Sequence, residues 1–301
     1  MKRVQQNASN IVIRRTWADK LADRMTEPLH VTALAGFVAL FGSYRAKVKF
    51  DLIKRRHYAY GVLEAAEQAR LHGHSSLTVV EFGVASGHGL LNLCKVAHKV
   101  SFITGVEINV IGFDSGAGMP PPCDYRDHPD LYQAGDFPMD QGTLRGRLPA
   151  YGKLVIGELK DTVRQFARTL NSASPIGFAA VDVDYYSSAK DAIALFADPE
   201  PAKYLPLTIL YLDDINQPSH TRFAGEWLAV EEFNAAQPMR KIDRHHFLKY
   251  TRMFQNARWI EQIFLLHVFD HPIMRATQEQ RPSKVYDPIT PLTQSPAPPV
   301  S

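Results

Sequence analysis

Residues 77–89 read Leu-Thr-Val-Val-Glu-Phe-Gly-Val-Ala-Ser-Gly-His-Gly, an apolar run followed at once by a loop with three glycines. Glycines at a strand-to-helix turn let the backbone approach a ligand closely and leave helix N–H groups directed at it. The spacing is Gly-x-x-x-Gly-x-Gly, whereas dinucleotide-binding loops have Gly-x-Gly-x-x-Gly. The stretch predicts a β-strand with a ligand-binding turn, the plainer alternative being a tight turn of another α/β protein.

The first residue of the loop indicates the kind of ligand. Glu81 places a carboxylate at the carboxyl end of the predicted strand. A carboxylate there would repel a pyrophosphate, but it suits the ammonium group of a methionine moiety. We therefore expect S-adenosylmethionine to bind here, in contact with Glu81, Gly83, Ala85, Ser86, Gly87 and Gly89.

The next apolar run, Ile111-Gly112-Phe113, ends in Asp114, about 25 residues beyond the loop, where a doubly wound fold places an acid that accepts hydrogen bonds from ribose hydroxyls. Hydrogen bonds to a charged group contribute roughly 1.5–3 kcal/mol each. The alternative is a solvated turn aspartate. Strand, acid and spacing together favour the ribose contact.

Short apolar runs alternate with helical stretches from residue 76 to about residue 272. Each run is followed by a glycine or an acidic residue, a pattern typical of a doubly wound, mostly parallel sheet with crossover helices. Two later runs have no clear helix between them and predict an antiparallel pair at the edge of the sheet. The predicted strands are Leu77–Phe82, Ile108–Phe113, Lys153–Ile156, Gly177–Val181 and Leu207–Leu212, and the later runs are Lys241–Leu248 and Trp259–Phe269.

The two ends of the chain differ from its centre. Residues 1–55 predict a helical extension, with Trp17, Leu21 and Met25 at i, i+4 and i+8, and residues 56–276 form the cofactor-binding domain. The apolar run Val31–Gly42 precedes a basic stretch, a combination that membrane-surface helices also have. The plainer interpretation, which we prefer, is a lid over the site or a contact with a second subunit. The proline-rich residues 277–301 predict a disordered tail.

Composition excludes several classes of protein. The formal net charge of +3 over 301 residues gives no reason to expect a nucleic-acid partner. The longest apolar run has about twelve residues, short of the roughly 20 that span a membrane. Two separated cysteines, Cys94 and Cys123, indicate reduced thiols and a cytoplasmic protein.

Acidic residues follow two further predicted strands. Asp182 and Asp184 come after the fourth strand, and Asp213 and Asp214 after the fifth. Because strand carboxyl ends share one rim, these carboxylates are expected to converge, which is costly unless a cation or a proton compensates. Mg²⁺ would do so. In the alternative, Asp184 or Ser187 caps the following helix and Asp213 and Asp214 are solvated.

With these motifs placed in order, the chain resembles the macrocin O-methyltransferase family, which methylates sugar hydroxyls in natural products. The resemblance covers roughly residues 55–270. Beyond the glycine loop, it is carried by Gly112-Phe113-Asp114-Ser115, Gly118-Met119-Pro120, Gly135-Asp136-Phe137, Gly157-Glu158, Asp161-Thr162, the Asp182–Ser188 segment and Asp213-Asp214.

The resemblance implies a class I methyltransferase fold, S-adenosylmethionine as cofactor, and a small-molecule acceptor. It implies further cofactor contacts at Ser115, Gly157 and Glu158, and Mg²⁺ ligands at Asp182, Asp213 and Asp214. The chain departs from the family in the small residues of 115–118 and in its first 55 residues. Both regions are expected to shape the acceptor pocket, so the acceptor stays open.

For catalysis, Asp182 is expected to bind metal and to act as a base, with Asp184 as the other candidate base. Five histidines are weaker candidates: His88, His245, His246, His267 and His271. A hydroxylase-like enzyme on the same scaffold would need iron, usually held by two histidines and a carboxylate, and the acidic cluster lacks such a histidine pair. A non-catalytic binding protein would leave the loop and the ordered acids unexplained.

Overall fold

A seven-stranded sheet forms the centre of the molecule, whose computed structural model describes residues 28–216 and 221–280. The strand order is β3-β2-β1-β4-β5-β7-β6. Strands β1 to β5 pair in parallel, whereas β7 is antiparallel to both β5 and β6. The predicted doubly wound, mostly parallel sheet with an antiparallel edge is therefore confirmed. The strands are β1 (Ser76–Phe82), β2 (Glu107–Asp114), β3 (Gly152–Ile156), β4 (Ile176–Val181), β5 (Tyr204–Leu212), β6 (Arg240–Arg244) and β7 (Ile263–Val268).

Helices cover both faces of this sheet. Buried side chains of α3 and α4 pack on one face, and those of α6, α7 and α8 pack on the other. Strand β4 is consequently buried along its whole length, and β1 along all but its first residue, which explains their nearly continuous apolar sequences. The helices are α1 (Leu29–Phe41), α2 (Tyr44–Lys49), α3 (Arg56–Leu71), α4 (His88–Thr104), α5 (Gln141–Arg147), α6 (Leu159–Thr169), α7 (Tyr186–Ile193), α8 (Gly225–Ala236), α9 (Leu248–Thr251) and α10 (Pro272–Gln280).

The sheet order reverses between β1 and β4. From β1 the chain moves outward through β2 to β3, and it then returns to β4 and moves the other way to β5. Neighbouring loops diverge at such a switch point and leave a crevice beyond the carboxyl ends of the strands. The glycine loop after β1 and the acidic segments after β4 and β5 all open into this region.

The antiparallel pair is shorter than the sequence predicted. Strand β6 ends at Arg244 and gives way to α9, and residues Arg258–Gln262 form a 3-10 turn before β7. Leu248 and Trp259 are buried in the core from these turns. An apolar run therefore reports burial, and its length alone does not separate a strand from a buried turn.

The described part of the N-terminal extension contains α1, which is apolar on all sides. Val31, Ala35 and Val38 of this helix pack against Phe50 and Phe254. The opposite face is exposed and carries Leu34, Phe37, Leu40 and Phe41. Its role as a lid or subunit contact stays a prediction.

The predicted stripe of Trp17, Leu21 and Met25 lies outside the described residues. At the other end, α10 continues to Gln280, so the first four residues of the predicted tail are helical. The rest of the tail, 281–301, is also outside the described residues. Across residues 28–216 and 221–280, no helix has both the length and the apolarity to cross a membrane.

Candidate active site

One crevice at the carboxyl ends of the central strands brings the predicted site residues together. Gly87 is the exception: it is the residue just before α4, has a φ of +81°, and lies against the Leu144 side chain. The crevice is lined by Glu81, Gly83, Ala85, Ser86, Gly89, Asp114, Ser115, Gly157, Glu158, Asp182, Asp184, Asp213 and Asp214.

The glycine loop passes directly between the ends of β2 and β4. The Gly83 N–H donates to the Phe113 carbonyl at 3.0 Å. Gly83 has a φ of +84°, and a Cβ there would lie 1.7 Å from the Asp182 carbonyl oxygen. Only glycine fits this position, because both the backbone conformation and the neighbouring strand exclude a side chain.

Asp114 holds the loop in shape. Its Oδ2 accepts the N–H groups of Val84 and Ala85 at 2.9 and 2.8 Å, and its Oδ1 accepts that of Gly116 at 2.7 Å. This internal role of Asp114 was not predicted from the sequence. A carboxylate has about four acceptor positions, so capacity is left for the predicted ribose hydroxyls, and that contact stays a prediction.

Glu81 lies under the loop and is 1% exposed. The Tyr58 hydroxyl donates to its Oε1 at 2.7 Å, while its Oε2 has no hydrogen-bond partner among the described residues. Burial raises the pKa of Glu81 to about 7, opposed by the Tyr58 hydrogen bond and by the charge of Arg55. A buried acceptor without a partner is costly, so this wall of the crevice is suited to a cationic donor.

The acids after β4 and β5 meet across the crevice. The Asp213 N–H donates to the Val181 carbonyl at 3.0 Å, and the Asp184 N–H donates to Asp214 Oδ2 at 3.1 Å. Asp184 has a left-handed backbone with φ of +59° and accepts a hydrogen bond from the Tyr132 hydroxyl. This geometry confirms that the strand ends share one rim.

These acids repel one another. Burial is the main cause of the raised pKa values of Asp182, Asp184 and Asp214, and neighbouring acids add to it. Glu226 on α8, which the sequence analysis missed, is 1% exposed and accepts the Asp214 N–H at 3.2 Å. Its pKa is also raised well above the usual range, first by burial and then by Asp213.

The acids do not form a closed metal site. Within the described ranges, no group of three or more His, Cys, Asp or Glu is spaced to hold a metal ion. The capping alternative is wrong, however: Asp127 accepts the Ser187 N–H at 2.8 Å and its hydroxyl at 3.1 Å, and neither Ser187 nor Asp184 caps α7. Asp214 is 2% exposed and is therefore not solvated.

Of the five candidate histidines, His88 lines the crevice, where its Nδ1 lies 2.7 Å from the Ser86 hydroxyl oxygen. The other four lie elsewhere. His271 Nε2 meets the Tyr204 carbonyl at 3.1 Å, and His246 Nε2 lies 3.2 Å from Asp243. The remaining two are His245, whose N–H donates to the Ile263 carbonyl, and His267, which stacks on Phe269.

Some residues of the crevice wall were not predicted from the sequence. Arg55 belongs to the basic stretch that follows the apolar run Val31–Gly42, and Tyr132 lies in the long connection after β2, where the sequence has few local signals. Met119, Pro120 and Phe137 line the crevice as well and belong to motifs that carried the family resemblance. The connection after β2 therefore contributes directly to the site.

No protein-family model and no curated protein matches the chain. Among solved structures it is similar to the calicheamicin methyltransferase CalS11, at 19% identity over 74% of this chain and 86% of that one, with a TM-score of 0.45. The O-methyltransferase NovP is 17% identical over 59% of this chain and 70% of that one, with a TM-score of 0.42. A third similar structure is the MycE methyltransferase of the mycinamycin biosynthetic pathway, in complex with Mg, SAH and mycinamycin VI. It is 11% identical over 68% of this chain and 48% of that one, with a TM-score of 0.37. The fold assigned to this chain rests on its own strand order.

Proposed function

We propose that the chain is an S-adenosylmethionine-dependent O-methyltransferase that acts on a hydroxyl group of a sugar or another small natural-product acceptor. Glu81 carries this proposal. Its buried Oε2 has no hydrogen-bond partner among the described residues, and Glu81 is one of the residues that line the crevice. The ammonium group of a methionine moiety would complete that hydrogen bond, whereas a pyrophosphate would be repelled.

Methyl transfer is an in-line displacement. The bond between the sulfonium sulfur and the methyl carbon breaks as the acceptor oxygen bonds to that carbon, and the hydroxyl proton passes to a base. Alignment of the two reactants alone is equivalent to about 10⁵–10⁸ M. The glycine loop and Asp114 would fix the donor, so the acceptor has to be aligned by the opposite part of the crevice.

Asp182 and Asp184 are the candidate bases. Burial raises the pKa of both carboxyl groups, and a carboxylate with a raised pKa is a stronger base than an ordinary aspartate. A positioned base typically contributes about 10²–10⁴-fold. Of the two, Asp184 is held by Tyr132 and by Asp214, so its orientation is the more defined.

We further propose that Mg²⁺ binds at Asp182, Asp213 and Asp214. Carboxylate oxygens are the protein ligands that Mg²⁺ prefers, and its charge would offset the mutual repulsion of these acids. Binding would have to draw the three side chains together, because among the described residues they are not at ligand spacing. Bound there, Mg²⁺ would act as a Lewis acid toward the acceptor hydroxyl. Removal of divalent ions with EDTA tests this assignment.

The acceptor would face the connection after β2. Met119, Pro120 and Phe137 offer apolar surface, and the nearby carboxylates offer hydrogen-bond acceptors. Such a combination suits the carbon skeleton and the hydroxyl groups of a sugar or polyketide.

Calorimetry tests the cofactor, with S-adenosylmethionine, S-adenosylhomocysteine and NADH as separate ligands. The first two should bind and NADH should not. Radiolabelled S-adenosylmethionine incubated with the protein and cell extract should then yield a labelled small molecule. Binding of NADH in place of the sulfonium ligands would refute the proposal, and cofactor binding without any labelled product would indicate a non-catalytic protein.

A further inference from the structure

Arg55 occupies an unusual place beside the crevice. It is the residue that precedes α3, and its backbone is left-handed, with φ of +50° and ψ of 63°. A non-glycine residue in this conformation is strained, and such strain is often found where a side chain is held for binding. Here the conformation coincides with a side chain that lines the crevice.

The guanidinium of Arg55 has no hydrogen bond or ion pair with any residue in 28–216 or 221–280. It lies 5.3 Å from the centre of the Tyr58 ring and close enough to Glu81 and Asp182 to interact with their charges. Among the described residues that line the crevice, Arg55 is the only lysine or arginine, whereas many are acidic. A half-buried cation that faces acids without pairing to them leaves room for a ligand between the charges.

We infer that Arg55 binds the carboxylate of the cofactor's amino acid group, an inference that rests on the proposed function. The amino acid end of S-adenosylmethionine is a zwitterion, and a site for it needs an anion and a cation side by side. Glu81 offers the unpartnered Oε2 to the ammonium, and Arg55 offers a planar fork of donors that matches a carboxylate. With the zwitterion between them, both charged side chains gain a partner.

Two other roles are physically reasonable for the same side chain. Arg55 could balance the charge of Asp182, or it could hold an anionic group of the acceptor. Neither role involves the amino acid end of the cofactor. The three roles therefore differ in which ligand depends on Arg55.

Calorimetry with two ligands separates these roles. S-adenosylhomocysteine carries the amino acid group, whereas 5′-methylthioadenosine has the same adenosine and thioether without it. Arg55→Ala should weaken S-adenosylhomocysteine about ten- to a hundredfold and leave 5′-methylthioadenosine within about twofold. Arg55→Lys should fall between wild type and Arg55→Ala, because it keeps the charge and loses the fork. Lys54→Ala, at the exposed neighbour, is the matched control and should change neither affinity.

An equal loss for both ligands would overturn the inference, because Arg55 would then support the pocket as a whole. Unchanged S-adenosylhomocysteine affinity with lost turnover would also overturn it and would assign Arg55 to Asp182 or the acceptor. If circular dichroism shows that Arg55→Ala does not fold, Arg55→Lys takes its place. The same comparison then applies, between the loss of affinity for S-adenosylhomocysteine and that for 5′-methylthioadenosine. Failure of the wild type to bind S-adenosylhomocysteine refutes the proposed function instead.

Discussion

The free energy of unfolding of Glu81→Gln should be compared with that of wild type, both without ligand. The difference should favour the variant more at pH 8 than at pH 5. Burial raises the pKa of Glu81 from 4.5 to about 7 in the folded protein. The folded state thus holds the proton more tightly than the unfolded state. The stabilisation that comes from protonated Glu81 is fully present below about pH 4.5 and is lost as the pH rises through about 7.

The magnitude follows from the same difference. A change in pKa from 4.5 to about 7 corresponds to about 3 kcal/mol, which the wild type loses across this interval and the Gln variant does not. The variant keeps Oε1 as the acceptor for the Tyr58 hydroxyl, so that hydrogen bond remains. Any effect of the new amide group is independent of pH and shifts the whole curve.

Urea unfolding of wild type and Glu81→Gln at several pH values between 4.5 and 8 measures this difference. The gap in unfolding free energy should grow toward high pH, and the variant should also bind S-adenosylhomocysteine more weakly. Glu107→Gln, at an exposed glutamate at the start of β2, is the control and should show no such gap. A gap that stays constant with pH would refute the reasoning, because Glu81 would then titrate alike in both states.

Three further predictions concern the loop and the acids. Asp114→Ala should weaken S-adenosylmethionine about ten- to a hundredfold in calorimetry and lower the melting temperature, because three loop N–H groups lose their acceptor; unchanged affinity would exclude Asp114 from the cofactor site. Gly83→Ala should cost more than about 3 kcal/mol in urea unfolding, whereas Gly73→Ala, with a similar φ of +80° in open space, should cost roughly 1–2 kcal/mol; equal costs would show that the overlap is relieved. EDTA should abolish turnover and Mg²⁺ should restore it. Asp182→Asn should lose turnover, with nearly unchanged affinity for the cofactor and equal or higher stability than wild type. Full activity in excess EDTA would rule out the metal.

The general position of the site followed from sequence, and its finer geometry did not. Apolar runs that end in glycine or acidic residues located the strand ends, and the rim shared by parallel strands then brought the acids together. The Tyr58–Glu81 hydrogen bond, by contrast, joins a helix to a strand through tertiary packing that no local pattern records. The same holds for Arg55 and Glu226, whose roles depend on how α3 and α8 pack on the sheet.

Asp127 connects two walls of the crevice through its hydrogen bonds. This buried carboxylate fastens the middle of the connection between β2 and α5 to Ser187 at the start of α7, just after Asp184 in the chain. One tie therefore divides a long loop into two short ones and links the wall that carries Met119 and Phe137 to the acids across the crevice. We expect a displacement of that wall to shift the chain at Asp184 as well, which would couple the fit of the proposed acceptor to the placement of the proposed base.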